Sequence, residues 1–250
     1  MTPLHALVLA VAGLAAGAIN SVAGGGSLVS FPAMLAIGIP TLSANATNLI
    51  AVTPGYVGGT LGYRAQLAGQ GTRVRRYGAV IMAGAVLGSA ILLVAPASAF
   101  DALAPFLVLV ACGLLVAQPR LARARAAGTA EHDESSPLLL GAVFLGGVYG
   151  GYFGAGLGIM LLALLAVFVP EDLQRLNALK GVLSLLVSIA AAVLLGLFGP
   201  VDWTACLIVA VASLAGGRLG VVVAKRLAPQ ALRYTVASYG TVVAIVLLLR

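Results

Sequence analysis

Residues 17–40 read GAINSVAGGGSLVSFPAMLAIGIP, and residues 147–170 read GVYGGYFGAGLGIMLLALLAVFVP. Each stretch is apolar on both sides of a glycine cluster. The first cluster is Gly24-Gly25-Gly26; the second is Gly154-Ala155-Gly156-Leu157-Gly158. Glycine at membrane depth permits close helix packing or a local break. The flanking pieces, Leu4–Ile19 with Leu28–Ile39 and Leu138–Tyr152 with Gly158–Val169, all fall short of the about 20 residues that span a bilayer. A helix the length of Leu28–Ile39 is about 18 Å long, which reaches about halfway through the hydrocarbon core. Each stretch therefore predicts a broken element, re-entrant or hairpin, rather than a plain span.

The rest of the chain fits the same solvent. Of 250 residues, 61% are hydrophobic and 8% charged, and the mean hydropathy is +1.11. Soluble domains carry about 25% charge. So few charges cannot cover a soluble surface, which excludes a soluble enzyme and a disordered chain. The composition predicts an all-α polytopic membrane protein with about eight spans. Longer apolar runs occupy Leu42–Tyr63, Tyr77–Ala95, Phe100–Gln118, Leu173–Phe198, Trp203–Ala224 and Ala231–Leu249. Met1–Ile19 has no Lys or Arg before its apolar run, so it is read as a membrane segment rather than a secretory signal.

The two stretches belong to halves that look alike. Gly17, Gly24, Gly26 and Pro40 recur 130 residues later as Gly147, Gly154, Gly156 and Pro170. Asn45, Gly84 and Gly88 recur 132 residues later as Asn177, Gly216 and Gly220. This predicts an internal repeat: residues 1–118, a charged cytoplasmic linker 119–137, and residues 138–250. Each repeat would hold one glycine-broken element and three spanning helices.

Charge tests the repeat independently. The formal net charge is +7, from 14 Lys+Arg against 7 Asp+Glu. The positive residues gather in Tyr63–Arg76 (Arg64, Arg73, Arg75, Arg76), in the linker (Arg120, Arg123, Arg125) and after Ala224 (Lys225, Arg226, Arg233). The loops Ala95–Asp101 and Gly199–Asp202 carry none. Basic loops stay on the cytoplasmic side. Leu42–Tyr63 then runs outside to inside, and its partner Leu173–Phe198 runs the other way. The repeats are expected to be inverted, with both termini outside. Inverted repeats with broken helices point to secondary transport, the site lying where the breaks meet near the midplane. The net charge gives no reason to expect nucleic acid.

A helix that starts inside the membrane offers unpaired N–H groups and the positive end of its dipole, a ready site for an anion. Gly24, Gly25 and Gly26 free the backbone in the first half, and Ser27 is placed to cap the following helix. Gly154, Gly156 and Gly158 do the same in the second half without a hydroxyl. Asn20 and Ser21 precede the first break; Asn45, Thr47 and Asn48 follow it. Asn177 and Lys180 hold the related places in the second half, Lys180 falling 132 residues after Asn48. A lysine two turns into an apolar helix is costly and so a functional candidate; the alternative is snorkelling to the inner face near Glu171 and Arg175. Arg218 is read as a snorkelling or packing charge.

The absences point the same way. All seven acids (Asp101, Glu131, Asp133, Glu134, Glu171, Asp172, Asp202) fall in loops or at helix ends. No carboxylate is left mid-membrane to relay protons or bind a cation. The sequence holds no P-loop and no H-E-x-x-H. Cys112 and Cys206 are read as small packing residues and His132 as a linker residue. No cofactor, metal or catalytic cluster is expected.

The residues also carry a family resemblance. Gly17–Thr60, GAINSVAGGGSLVSFPAMLAIGIPTLSANATNLIAVTPGYVGGT, resembles the first half of the TauE/SafE sulfite and organosulfonate exporter family. The stretch GGVYGGYFGAGLGIMLLALLAVFVPEDLQRLNALKG resembles the second. The resemblance implies a permease of the bacterial inner membrane that exports sulfite, sulfoacetate or a related sulfur oxyanion. It points at Asn20, Gly24, Gly25, Gly26, Ser27, Asn45 and Asn48, and at Gly154, Gly156, Asn177 and Lys180. The residues alone reach only an oxyanion. They leave open a channel-like anion pathway, and a membrane subunit that scaffolds a partner. Small-residue spacings such as Gly84/Gly88 and Gly216/Gly220 would also serve a homo-oligomer.

Overall fold

The computed structural model describes residues 1–22, 24–127, 134–223 and 229–249. Glu131, His132 and Asp133, with Lys225 and Arg226, lie outside them, as do the side chains of Arg120, Arg123, Arg125 and Arg233. The described residues form helices and no strand. In the first half these are α1 (Pro3–Val22), α2 (Ser27–Ala36), α3 (Thr41–Ala51), α4 (Thr53–Gly62), α5 (Gly71–Val94) and α6 (Ala97–Ala127). In the second they are α7 (Pro137–Tyr152), α8 (Leu157–Phe168), α9 (Leu173–Phe198), α10 (Trp203–Val223) and α11 (Pro229–Leu248). Caps start several of them. Ser136 accepts from the N–H of Leu138 ahead of Pro137, and Asp172 accepts from Gln174 and Arg175. Each satisfies donors that the helix leaves open.

Five described segments are long and apolar enough to cross a membrane: Pro3–Ser21, Gly71–Val94, Ala97–Ala117, Leu173–Phe198 and Trp203–Gly220. Their outward faces are apolar, as at Leu7, Val11, Leu197 and Val211, all at least 60% exposed. Hydrocarbon is the solvent that such faces fit.

Three expectations change. Leu4–Ile19 is not too short, because α1 continues to Val22. Its polar last turn stays helical since the Ser21 hydroxyl donates to the carbonyls of Gly17 (3.1 Å) and Gly217 (2.9 Å). Leu42–Tyr63 is not one helix. It divides at Val52 into α3 and α4, with Pro54 at the start of α4, where the missing proline N–H costs least. The repeat boundary at residue 118 falls inside α6, which runs on through the arginine-rich segment to Ala127.

Small residues set the tightest contacts. A Cβ on Gly17 would stand 2.1 Å from the Ser213 carbonyl oxygen, and on Gly216 2.0 Å from that of Leu14, so α1 and α10 touch backbone to backbone. The α5–α7 pair repeats this: a Cβ on Gly147 would stand 2.2 Å from the Ile81 oxygen, and on Gly84 2.2 Å from that of Phe144. Gly84/Gly88 and Gly216/Gly220 thus pack within the chain. In both pairs residue numbers rise together, so α1 runs parallel to α10 and α5 to α7. The α3–α4 rod runs against α9, with Ile50 beside Gly196 and Thr60 beside Gly181.

One end of the molecule gathers charge. Arg73 at the start of α5 forks onto Glu134 (2.8 and 2.6 Å) and reaches Glu171 (2.7 Å). Glu171 also accepts from Arg175 (2.6 Å), which donates to the Ala68 carbonyl (3.1 Å). The α4–α5 loop, the end of the linker and the α8–α9 loop therefore meet. The hydrogen bond from Arg73 holds the Glu134 and Glu171 carboxyls below their ordinary range, with Arg175 adding to the effect at Glu171.

Candidate functional site

Both glycine clusters break the chain, and by the same turn. The N–H of Gly24 donates to the Ile19 carbonyl (3.0 Å), that of Gly154 to the Tyr149 carbonyl (3.1 Å). The two glycines have φ of +79° and +76°, the left-handed conformation that closes a helix end. The clamps differ. The Asn20 Oδ1 accepts from the N–H of Gly26 (2.7 Å), whereas the Tyr149 hydroxyl donates to the Ala155 carbonyl. Ser27 does not cap α2. It is the first helical residue, behind Gly26, and makes no capping bond; Asn20 reaches over from α1 instead.

The breaks meet. A Cβ on Gly24 would lie 2.8 Å from the backbone of Gly158 and Ile159, and one on Gly158 3.0 Å from the Gly24 Cα. The same position on Gly158 is 3.4 Å from Cδ of Lys180. Lys180 is 1% exposed, and its Nζ donates to the Asn20 carbonyl (3.1 Å) at the end of α1. A helix C-terminus carries partial negative charge, which favours the ammonium there. The lysine therefore does not snorkel. The ion pairs among the described residues join Arg73, Glu134, Glu171 and Arg175, so no acid is paired with Lys180.

Asn177, one turn before Lys180, donates from Nδ2 to the Ser21 carbonyl (3.2 Å). These groups line a narrow cleft with Tyr56 and Thr60 of α4 and Tyr63 just past its end. Its free space is about 10 Å³, the room of one water molecule. Asn20 Nδ2, Asn177 Oδ1 and Thr60 Oγ1 are buried there without a hydrogen-bond partner. Buried polar groups are normally paired, so the cleft holds an unused amide donor on Asn20, an unused hydroxyl on Thr60 and an unused acceptor on Asn177 beside a cation.

Of the residues singled out in the sequence, Asn20, Ser21, Gly24, Gly158, Asn177 and Lys180 come together. The others do not join them. Gly25 and Gly26 face Ile159 and the Ala16 backbone, Gly154 faces Leu49, and Gly156 faces Ala111. Asn45 donates to the Tyr152 carbonyl (2.9 Å), and Asn48 accepts from the Ser30 hydroxyl. At the start of α2 the N–H groups of Leu28 and Val29 already bond to Gly25 and Gly26; at α8 those of Leu157 and Ile159 bond to Gly154 and Gly156. The half-helix starts thus offer fewer bare donors than expected, and side chains supply more. Tyr56, Thr60 and Tyr63 were missed. Their spacing of four and three residues places them on one helical face, which was the available signal. Arg218 is exposed on α10, as a packing or snorkelling charge would be.

Comparison with known proteins adds a family. The family described as sulfite exporter TauE/SafE matches residues 9–247. A probable membrane transporter protein, ORF9, of Sinorhizobium sp is 28% identical over 85% of this chain and 80% of its own length. Another probable membrane transporter protein, from Haemophilus influenzae, is 24% identical over 85% and 82%. The probable membrane transporter protein YfcA of Escherichia coli K12 is 25% identical over 88% and 81%. No solved structure matches the chain. With nearly its whole length matched, the chain belongs to the TauE/SafE family of membrane transporters.

Proposed function

We propose that this transporter exports a small sulfur oxyanion or organosulfonate, such as sulfite or sulfoacetate, across the bacterial inner membrane. The observation that carries the reading is Lys180: a buried cation with no paired acid among the described residues, beside the unpaired Asn20 Nδ2, where the two breaks meet. A cation and donors without a carboxylate fit an anion and not a metal ion or proton relay. Lys180 and the Asn20 Nδ2 supply its donors, Ser21 and Asn177 line the site, and the backbone at Gly24 and Gly158 lets it approach. The sulfur class itself comes from the family.

Contact order supports inverted repeats. Leu14 meets Gly216 and Phe144 meets Gly84, and each of these partners lies one repeat from its counterpart. The opposed directions of the α3–α4 rod and α9 are those expected of repeat partners in an inverted pair. The gathered arginines fit a cytoplasmic end, with both termini outside. Free space for only one water molecule favours a carrier that must rearrange over an open anion channel.

The test is flux through liposomes holding the purified protein, comparing sulfite, sulfoacetate and sulfate under an imposed potential. Saturable, potential-sensitive flux of a sulfur anion is expected. Unsaturable flux would favour the channel. No flux from folded protein would move the reading to another substrate or a scaffolding subunit.

A further inference from the structure

We infer that the cleft takes its anion singly protonated, with the anion's own O–H donated to the Asn177 Oδ1; for sulfite the bound species is hydrogensulfite and not the dianion. The inference rests on the anion reading above and specifies the form that the guest must take.

Two amides set the demand, and backbone partners fix which way each one faces. The Asn20 Oδ1 accepts from the N–H of Gly26, so the arm left over is Nδ2, a donor. The Asn177 side chain meets the Ser21 carbonyl at 3.2 Å. A carbonyl only accepts, so Nδ2 makes that bond and the arm left over is Oδ1, an acceptor. Both remaining arms are buried and unbonded. Asn20 is 2% exposed and Asn177 6%, and both line the cleft with Lys180. Bare oxyanion oxygens can answer Lys180 and the Asn20 amide. They cannot answer the Asn177 Oδ1, because two acceptors without a hydrogen between them repel.

No neighbour in the cleft removes the demand. The Thr60 Oγ1 is itself unbonded, and the Tyr63 hydroxyl lies beside the Asn177 amide while Oδ1 stays unbonded. The free space is about 10 Å³. Water can donate to Oδ1, and an anion that displaces water loses affinity unless it brings a hydrogen of its own. A site built to bond an O–H rejects the analogue that lacks it, since the buried partner is left unpaired.

Charge points the same way. Lys180 is in none of the ion pairs among the described residues, and it answers one negative charge. A second, on the sulfite dianion, would be buried without a counter-charge. Hydrogensulfite has one negative charge and one O–H. Near neutral pH it exchanges freely with the dianion, so the cleft selects this form rather than creating it. Sulfoacetate, a dianion with no O–H at that pH, fits less well.

The experiment titrates the purified full-length chain with sulfite and with methanesulfonate by calorimetry, from below to above the pH at which hydrogensulfite loses its proton. Methanesulfonate is a monoanion throughout, with a methyl where hydrogensulfite has its hydroxyl. It therefore also reports any titration of Lys180, Tyr56 or Tyr63, the titratable groups that line the cleft. On the acid side, sulfite should bind at least about tenfold tighter than methanesulfonate, because the methyl leaves a buried acceptor unpaired. That advantage should shrink as pH rises, in step with the fraction of hydrogensulfite. Asn177→Leu should bring the two anions to similar affinity. Equal affinities in the native chain, or an advantage for sulfite that grows with pH, would overturn the inference and leave the anion reading in place. So would an advantage that Asn177→Leu keeps. Binding of neither anion by folded native protein would overturn the anion reading, and this inference with it.

Discussion

At the scale of single residues, the proposed chemistry turns on Lys180. An ammonium buried without an acid costs stability, and the Asn20 carbonyl offsets that only in part. Lys180→Met keeps the bulk and removes the charge. Affinity for sulfite should fall about tenfold to a hundredfold, the worth of a charge-assisted hydrogen bond. The melting temperature should hold or rise, since an unpaired charge has been removed. Calorimetric titration and thermal unfolding in detergent measure the two effects. Unchanged affinity would leave the lysine a cap on α1 and nothing more. Its position was legible in the sequence, because a cation within an apolar run has few explanations. Which way it turned was not, since the deciding partner, the Asn20 carbonyl, lies 160 residues away. Separation in sequence also hid Tyr56, Thr60 and Tyr63, whose role depends on what packs opposite α4.

Among the elements, close helix pairs bear most of the architecture. Gly216→Ala would gain about 1 kcal/mol of helix propensity in an isolated helix. Here its Cβ would stand 2.0 Å from the Leu14 oxygen, so α1 and α10 must part. The variant should lose about 3 kcal/mol, the upper part of the range for overpacking, read as a lowered unfolding midpoint. A variant as stable as the native chain would mean that α1 slides freely. Glycine repetition makes the two breaks legible in the sequence alone. The division of α3 from α4 was harder to see, because hydropathy stays high across Val52 and only Pro54 marks it. The true end of α1 was masked for the opposite reason. Asn20 and Ser21 look like loop residues until their bonds to Gly26 and Gly217 are known.

For the whole molecule, the charged clasp ties together segments far apart in sequence. Arg73 holds Glu134 and Glu171 ionised below the ordinary carboxyl value of 4.5. A depressed carboxyl contributes stability above its unfolded value and loses it as pH falls through the folded one. Thermal stability should therefore stay level from about pH 7 to pH 5 and drop at pH below 4.5. Arg73→Gln should flatten that acid limb, and an unaltered limb would show that the clasp adds nothing. That Arg73 and Arg175 lie in or beside polar loops was readable from charge alone; their pairing with Glu134 and Glu171 was not, because those acids were visible only as loop residues. The unpaired lysine has a further consequence, in valence. With a monovalent guest the occupied cleft is neutral, and the vacant one carries the charge. One-for-one exchange would then proceed with little electrical work, while net export would be governed by the return of the vacant site.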